Sequence, residues 1–498
     1  MNKSFISKRV QQNSGSQVLK KELGLFDSTM IVIGSMIGSG IFIVSADIVR
    51  TVGSAGWLLV VWLITGVVTI VAALSYGELA GMMPRAGGQY VYLKEAYGPL
   101  AGFLYGWTLF IVIQTGTIAA VSVAFAKFTS ILIPFFGDDK VFFALGPLKI
   151  TTQRILAILS ILFLSFLNMR GIKTGKIVQD IFTVSKVGAL LCLIVFGIFI
   201  GKNADSQAIN FSNFWNASWS HIKDGMVVSK ESLSGLMLLP AIGVAMVGSL
   251  FSSDAWNNVT FTGAEIKNPH KTLPLSLALG TIIVTVLYLL ANVSYIFVLP
   301  VTGNPDAHDI WGRGIQFASQ DRVATAAVTQ ALGERWAIVL AFLIMISTFG
   351  CNNGLILAGA RVYYAMAKDG LFFKSAGNLN RWAVPAVALL MQGLWASLLC
   401  ISGSYSDLLD YVIFAVLIFY ILTVFAVFVL RYKKPDAKRP YRAIGYPVLP
   451  VIYILIAMGI CIDLLVFKPK YTWPGLMIVL AGLPVFFMRE KLFYKNKN

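Results

Sequence analysis

The sequence predicts an all-α integral membrane protein with 12 transmembrane helices, and three observations support this fold class. First, 57% of the 498 residues are hydrophobic and only 13% are charged, whereas soluble domains carry about 25% charged residues. Second, the apolar residues form twelve stretches that are long enough to cross a bilayer as helices, at roughly 20 residues per crossing. Third, two of these stretches are interrupted near their centres by small and polar residues. A soluble multi-domain enzyme is therefore not expected.

The twelve spans follow one another with mostly short links. They begin near Leu25, Trp57, Gly98, Gln153, Ile177, Leu236, Leu275, Trp336, Pro385, Leu408, Pro447 and Trp473. Longer polar stretches separate the fifth span from the sixth (Gly201–Glu231) and the seventh from the eighth (Val301–Glu334). Because the number of spans is even, both termini are expected on the same side of the membrane.

The distribution of positive charge predicts which side that is. Lysine and arginine concentrate in cytoplasmic loops of membrane proteins. With the N-terminus in the cytoplasm, the inner segments carry 26 of the 40 Lys and Arg residues and the outer segments carry 12. Both termini are therefore expected in the cytoplasm of a multi-pass protein of the cell membrane. The net charge of +17 then reflects membrane topology, and no nucleic-acid partner is expected.

Metal and disulfide chemistry are not indicated. The three histidines lie far apart in loops, and the four cysteines fall within apolar spans. Buried free cysteine behaves as a small apolar residue, so we expect no metal site, no disulfide framework and no cofactor. The basic N-terminal segment lacks the apolar core of a secretory signal peptide.

The first span contains a glycine-rich interruption at Gly34–Phe42. Glycine is a poor helix former, at about 1 kcal/mol relative to alanine, so this cluster favours opening of the helix. An opened backbone within a membrane is tolerated only where it lines a cavity or is buried in protein. The freed N–H groups of Gly38, Ser39 and Gly40 would suit a carboxylate. The alternative is close helix packing, since Gly34 and Gly38 form a small-xxx-small pair.

The sixth span contains a second interruption, from Ser252 to Asn258. Asp254 at its centre would disfavour membrane insertion by about 2.5–3.5 kcal/mol, which makes it a functional candidate. The alternative is a buried acid that is satisfied by packing partners. Spans one and six are each the first helix of a five-span half, and interrupted helices at matching positions indicate a transporter site near the bilayer midplane.

Five motifs carry a resemblance to a known family. They are Ile37–Phe42 in span one, Arg85–Tyr90 after span two, Val178–Phe182 in span five, Phe251–Asn257 in span six, and Glu265 with Asn268-Pro269 and Leu273-Pro274 after it. Together, in this order, they resemble an amino acid permease of the amino acid–polyamine–organocation superfamily, and within it the L-type amino acid transporter family. The resemblance covers nearly the whole chain.

The resemblance implies a fold of two inverted five-helix repeats followed by two further helices. The expected divisions are a cytoplasmic N-terminal tail (1–24), the first repeat (25–200), an extracellular loop (201–235), the second repeat (236–430), a basic cytoplasmic loop (431–446), helices 11 and 12 (447–490) and a cytoplasmic tail (491–498). The basic loop is expected to lie against anionic lipid, which attracts clustered Lys and Arg.

The resemblance also implies a substrate site at the two breaks. The N–H groups of Gly38, Ser39 and Gly40 are expected to bind the carboxylate of an amino acid. Carbonyl groups around the breaks are expected to accept from its α-ammonium, and the binding segments contribute Met36, Ile37, Phe251, Ser252 and Asp254. Phe251 resembles the family's aromatic gate, with an ordinary core phenylalanine as the alternative. Asp254 departs from the animal L-type pattern, which tends to have glycine, and it can bind the ammonium, bind a proton or point away.

Lys186 is a second charge inside a span. Its depth argues against snorkelling, in which the charged end reaches the membrane surface. The resemblance implies that its ammonium replaces a sodium ion beside the opened first helix. Gln114, Cys351, Asn352 and Asn353 are candidates for a pocket around the substrate side chain, although interhelical hydrogen bonds would also explain such polar residues.

The expected function is sodium-independent exchange of neutral L-amino acids by alternating access. Proton-coupled uptake, with Lys186 or Asp254 as the protonated group, is an alternative. An amino acid sensor without net transport is a second alternative. A membrane enzyme is not expected, because the sequence suggests no metal cluster or nucleophile–base pair. The loop at Pro134–Thr152 lacks the cysteine with which animal L-type subunits bind a heavy chain, so no disulfide-linked partner is expected, as for a bacterial member.

Overall fold

The computed structural model describes residues 19–145, 148–223, 226–402 and 405–495, and this part of the chain is mainly helical. Within these described ranges, ten helices are long and apolar enough to cross a membrane. Two of the shorter apolar helices, Thr152–Asn168 and Ala386–Ile401, lie where the sequence predicts the fourth and ninth spans.

The helices before residue 213 are α1 (Leu25–Met36), α2 (Gly40–Ile43), α3 (Ser45–Val52), α4 (Ala55–Met82), α5 (Gln89–Tyr97), α6 (Pro99–Thr108), α7 (Gln114–Leu132), α8 (Thr152–Asn168), α9 (Ile172–Val195) and α10 (Ala204–Ser212). The later helices are α11 (Leu238–Ser252), α12 (Asn258–Phe261), α13 (Pro269–Val298), α14 (Ile310–Arg313), α15 (Val323–Leu332), α16 (Glu334–Lys368), α17 (Ala386–Ser402), α18 (Tyr405–Lys433), α19 (Val448–Phe467) and α20 (Pro469–Lys495). Single π-helical turns at Leu109–Ile113 and Phe196–Ile200 join α6 to α7 and extend α9.

Both predicted interruptions are present. The first span is divided into α1, α2 and α3, with Ile37–Ser39 outside the helices. In the sixth span α11 ends at Ser252, and the chain runs without helical structure to Asn258, where α12 begins. The two breaks lie together in the interior, because α1 packs on α9, α13 and α16, while α2 contacts α11 and α12 contacts α1.

Two β-hairpins in the loops were not predicted. Strands β1 (Val141–Leu145) and β2 (Leu148–Thr151) pair in an antiparallel manner, as do β3 (Ser218–Lys223) and β4 (Met226–Ser232). The second hairpin and α10 give regular structure to the long polar stretch after the fifth span. We predicted the loops from their polar composition alone, and composition does not reveal that two short strands pair.

The loop between α18 and α19 is held to the end of α4 by the buried carboxylate of Glu78. This carboxylate accepts from Nε and Nη2 of Arg431 at 2.9 and 2.6 Å and from the N–H of Ala443 at 2.8 Å. Nε of Arg439 lies 3.3 Å from Oε1 of Glu78, the oxygen that also accepts from Nε of Arg431. Lys434 binds Glu95 on α5 at 2.7 Å. At least these three cations of the basic loop therefore face protein carboxylates, whereas the sequence suggested a loop that contacts lipid.

Candidate functional site

The two helix breaks touch each other through a glycine and a tyrosine. A β-carbon on Gly40 would lie 2.0 Å from Oγ of Ser252 and 3.0 Å from its Cα, so this close approach requires glycine. The hydroxyl of Tyr288 on α13 lies 2.9 Å from the carbonyl oxygen of Met36 and 3.0 Å from that of Ser252. The hydroxyl of Tyr288 thus contacts a carbonyl oxygen at each of the two helix breaks.

Lys186 on α9 reaches the first break with its ammonium group. Nζ donates to the carbonyl oxygens of Gly34 at 2.6 Å, Ile37 at 2.9 Å and Ser347 at 3.3 Å. The side chain is fully buried. An ammonium has three donors, and each has a carbonyl partner here. Lys186 therefore does not extend to the membrane surface, and it joins α9 to α1 and α16.

Side chains and backbone together satisfy the other carbonyls of the first break. Sγ of Cys351 on α16 lies 3.1 Å from the carbonyl oxygen of Ser35. The N–H of Gly38 donates to Met36 at 2.8 Å. Because unpaired buried carbonyls are unfavourable, these contacts explain how the backbone stays open without helical hydrogen bonds.

The glycines of the first span have two different roles. A β-carbon on Gly34 would lie 2.0 Å from Nε2 of Gln179, so Gly34 permits close packing of α1 against α9. A β-carbon on Gly38 would lie 3.1 Å from Sγ of Cys351, which is a tight contact, and 3.9 Å from Cγ2 of Val121. The packing alternative thus describes Gly34, whereas Gly38 and Gly40 lie in and directly after the open segment.

Asp254 in the second break faces α18. Its carboxylate accepts a short hydrogen bond of 2.5 Å from the hydroxyl of Tyr420. The next residue, Ala255, adopts a left-handed conformation with φ of 64°, which is unusual for a side-chain-bearing residue. Asp254 and Lys186 form no ion pair within the described ranges, since each has partners on other elements. The three roles considered for Asp254, which are binding of the ammonium, binding of a proton and pointing away, stay predictions.

Gln89 supports the second break and was not identified from the sequence. Its Oε1 accepts from Asn257 at 2.8 Å, and its Nε2 donates to Thr423 on α18 at 3.0 Å. Gly88, before it, has φ of 42°, and a β-carbon there would lie 2.7 Å from the carbonyl carbon of Thr260. The Arg85–Tyr90 motif therefore packs against α12. A buried glutamine after two glycines is a signal that, in hindsight, pointed to this contact.

A small polar cavity lies beside the second break. It has a volume of about 10 Å³, which is room for roughly one water molecule. Its polar lining includes Gln89, Gln114, Thr117, Asp254 and Asn257, from three different parts of the chain. The arrangement described here is therefore a closed one, without room for an amino acid.

The predicted side-chain pocket is only partly assembled around this cavity. Gln114 lines it and donates to the carbonyl oxygen of Leu355 at 2.8 Å. Asn352 donates to Ser122 on α7. Asn353 accepts from Asn168 at 2.8 Å and so faces α8. Phe251, near the end of α11, is 7% exposed and lies in the hydrophobic core.

Metal-binding clusters were sought among His, Cys, Asp and Glu. Within the described ranges no group of three or more of these residues is close enough to hold an ion. The polar groups gathered at the two breaks are instead backbone amides and carbonyls, hydroxyls, one ammonium and one carboxylate. Such a set binds ligands through hydrogen bonds and charge.

Comparisons with known proteins agree with the resemblance read from the motifs. The family profile described as amino acid permease matches residues 23–486. The b(0,+)-type amino acid transporter 1 of Homo sapiens is 30% identical over 481 residues, which cover 94% of this chain and 88% of the relative. The large neutral amino acids transporter small subunit 2 of Mus musculus is 31% identical over 491 residues, with 97% and 83% covered. The serine/threonine exchanger SteT of Bacillus subtilis (strain 168) is 30% identical over 476 residues, with 95% and 98% covered.

The family match spans nearly all of the long apolar helices and confirms a multi-pass membrane protein. The relatives confirm the resemblance to L-type amino acid transporters. The two broken helices contact each other at their open segments. The three relatives named above are amino acid transporters or exchangers by name. The chain belongs to the amino acid permease family.

Proposed function

We propose that the protein exchanges neutral L-amino acids across the membrane by alternating access and without sodium. The observation that carries this proposal is the ammonium of Lys186, which donates to the opened carbonyls of Gly34 and Ile37. A fixed positive charge at this position fulfils the role of a bound cation. It also repels a second cation, because unit charges a few ångströms apart interact strongly in a protein interior.

The amino acid is proposed to bind between the two breaks. Its carboxylate is placed at the N–H groups of Gly38, Ser39 and Gly40, and its ammonium at the carbonyls of Met36, Ile37, Phe251 and Asp254, with Ser252 beside them. Each carbonyl oxygen has two lone pairs, so Met36 and Ile37 can accept from a substrate as well as from Tyr288 and Lys186. The bond from Gly38 to Met36 has to open when the carboxylate binds.

Widening of the site is part of this proposal. The cavity of about 10 Å³ beside Asp254 has to expand before a substrate side chain fits between α7, α16 and α18. Gln114 is placed at that side chain because it already lines the cavity, and Cys351, Asn352 and Asn353 form the neighbouring α16 segment. Phe251 is proposed to close over the bound substrate as a gate.

The proposed topology has 12 transmembrane helices. The ten long helices and the shorter α8 and α17 supply them, with α1 and α11 opening two inverted five-helix repeats at 25–200 and 236–430. Both termini, with tails at 1–24 and 491–498, are placed in the cytoplasm together with the loop at 431–446. The segment at 201–235 is extracellular, and 447–490 forms the last two helices.

We further propose that the chain works without enzymatic activity and without a disulfide-linked heavy chain. The four free cysteines support the second point, since Cys351 and Cys400 are buried and Cys192 and Cys461 lie on predicted membrane spans. Lipid and the amino acid substrate are its proposed partners.

Uptake into proteoliposomes tests the function. An exchanger takes up labelled neutral amino acid only when unlabelled amino acid is inside, and replacing sodium with choline does not change the rate. Sodium-driven accumulation would overturn the proposal. Binding without counterflow would favour a sensor instead.

One observation favours a second candidate, proton-coupled uptake. Asp254 is buried and hydrogen-bonded to Tyr420, and no ion pair involves it in the described part of the chain. A buried carboxylate without a cationic partner is suited to gain and lose a proton. Accumulation in empty liposomes under an imposed proton gradient, lost in Asp254→Asn, would replace exchange by this mechanism.

A further inference from the structure

A second cavity lies between the short helix α14 and the start of α15. Its volume is about 150 Å³. Its polar lining consists of Arg313, Ser319, Arg322, Thr325 and Thr329, and the other lining residues are apolar. Two guanidinium groups and three hydroxyl groups thus face one cavity in the loop that joins α13 to α16.

Arg322 enters this cavity with part of its hydrogen-bonding capacity unused. Its Nη2 donates to the carbonyl oxygen of Lys127 at 3.0 Å and approaches Oγ of Ser130 at 3.4 Å. Its Nε is buried and has no hydrogen-bond partner among the described residues. Burial lowers the pKa of Arg322 to about 10, so the group stays charged at neutral pH.

The other cavity groups add unused donors. Oγ1 of Thr325 is also buried without a hydrogen-bond partner in the described ranges. Nε of Arg313 donates to the carbonyl oxygen of Phe317 at 2.9 Å, which leaves the two terminal nitrogens of that guanidinium for another acceptor. Buried polar groups without partners are unfavourable, and two residues of the cavity lining, Arg322 and Thr325, each carry one.

The charge of the cavity is not balanced by nearby acids. No aspartate or glutamate lines it. Asp321 precedes Arg322 in the chain, but its carboxylate binds Arg50 on α3 at 2.7 Å. Neither Arg313 nor Arg322 takes part in an ion pair within the described part of the chain. The cavity is therefore cationic.

We propose that this cavity binds a small organic carboxylate that carries no amino group. Guanidinium groups match the geometry of a carboxylate, and the hydroxyls of Thr325 and Thr329 offer further donors. A cavity of about 150 Å³ takes a ligand of several heavy atoms, as apolar cavities of that size take benzene, and the apolar lining suits a short alkyl chain. An amino acid is disfavoured, because its ammonium would find two arginines and no acid. The ligand holds α14 and α15 together.

Thermal unfolding of the purified full-length protein in detergent tests this site, with propionate as the probe and chloride as the balancing anion at constant ionic strength. A ligand that binds only the folded state raises the unfolding midpoint in a saturable way. Propionate is expected to do so. Propionamide, which has the same shape without charge, is expected to have no such effect.

Variants locate the effect. Arg313→Gln and Arg322→Gln are each expected to weaken the apparent propionate affinity about tenfold or more, because each removes charged hydrogen bonds. Arg335→Gln is the matched control, since Arg335 is exposed at the start of α16 and lies outside the cavity. Thr325→Val removes one hydroxyl with little change in shape and remains available if Arg322→Gln fails to fold.

Three outcomes would overturn the proposal. They are an absence of any propionate response in the parent protein, an equal response to propionamide, and a parent-like response in both Arg313→Gln and Thr325→Val.

Discussion

Replacing Lys186 by methionine is the most informative single change, because it removes the ammonium and keeps most of the side-chain volume. The three carbonyl oxygens of Gly34, Ile37 and Ser347 then lose their donor. The contacts at 2.6 and 2.9 Å are short, whereas that to Ser347 at 3.3 Å is long. The perturbation therefore falls mainly on two carbonyls of the first break.

The magnitude follows from those two contacts. Leaving a buried polar group without a partner is unfavourable by about 1–3 kcal/mol, so the binding-competent shape of the break becomes less stable by roughly 2–6 kcal/mol. At about 1.4 kcal/mol for each factor of ten, we expect transport to fall by at least about tenfold. The free energy of unfolding changes less, because the variant no longer has to bury an ammonium.

Exchange of labelled amino acid in proteoliposomes measures the first effect, and thermal unfolding of the same preparation measures the second. Ser185→Ala is the matched control, because Ser185 precedes Lys186 on α9 and its exposed hydroxyl donates to the carbonyl oxygen of Ile181 on the same helix. If Lys186→Met exchanges at the parental rate in the absence of sodium, the ammonium does not maintain the break, and the proposed replacement of sodium is wrong.

Three further predictions concern other parts of the molecule. Gly40→Ala is expected to abolish substrate binding, because its β-carbon would lie 3.0 Å from the Cα of Ser252 on α11. A β-carbon on Gly188 would have nothing within 4 Å, so Gly188→Ala is expected to bind normally in the same equilibrium assay. Normal binding by the Gly40 variant would exclude the proposed docking of the carboxylate. Phe251→Ala is expected to reduce transport far more than binding, and equal transport by variant and parent would rule out a gate. Hydrogen bonding to Lys434 lowers the pKa of Glu95. The contribution of Glu95 to stability is therefore present above the ordinary glutamate pKa of about 4.3 and is lost as the pH falls through the lower folded value. Glu95→Gln is expected to flatten that part of the curve of unfolding midpoint against pH, and an unchanged curve would contradict this.

The sequence was sufficient for features that depend on local composition. Two breaks in apolar spans and a lysine about two turns inside another span could be predicted, because several glycines close together weaken a helix and charges inside a membrane span are rare. Lys186 contacts the carbonyl oxygens of Gly34 and Ile37 in the first break, and its replacement of a sodium ion stays a prediction. The family itself was identified from motifs in the correct order.

Contacts between residues that lie far apart in the sequence could not be predicted from it. Tyr288 looks like one more aromatic residue in an apolar span, although its buried hydroxyl needs a partner, and only the placement of α13 shows that the partners are the two breaks. The direction of Asp254 depends on Tyr420, which lies 166 positions later. The hairpins formed by β1–β2 and β3–β4 depend on the pairing of short strands with no strong individual signal.

The carboxylate of Glu78 has a consequence for biosynthesis. Its partner Arg431 lies 353 positions further along the chain, and chains are made at about 5–20 residues per second. Glu78 therefore reaches the edge of the membrane roughly 20–70 s before the residues that neutralise it leave the ribosome. During that time α4 has an acidic end that the finished protein buries, and a chain that stops before residue 431 never covers it.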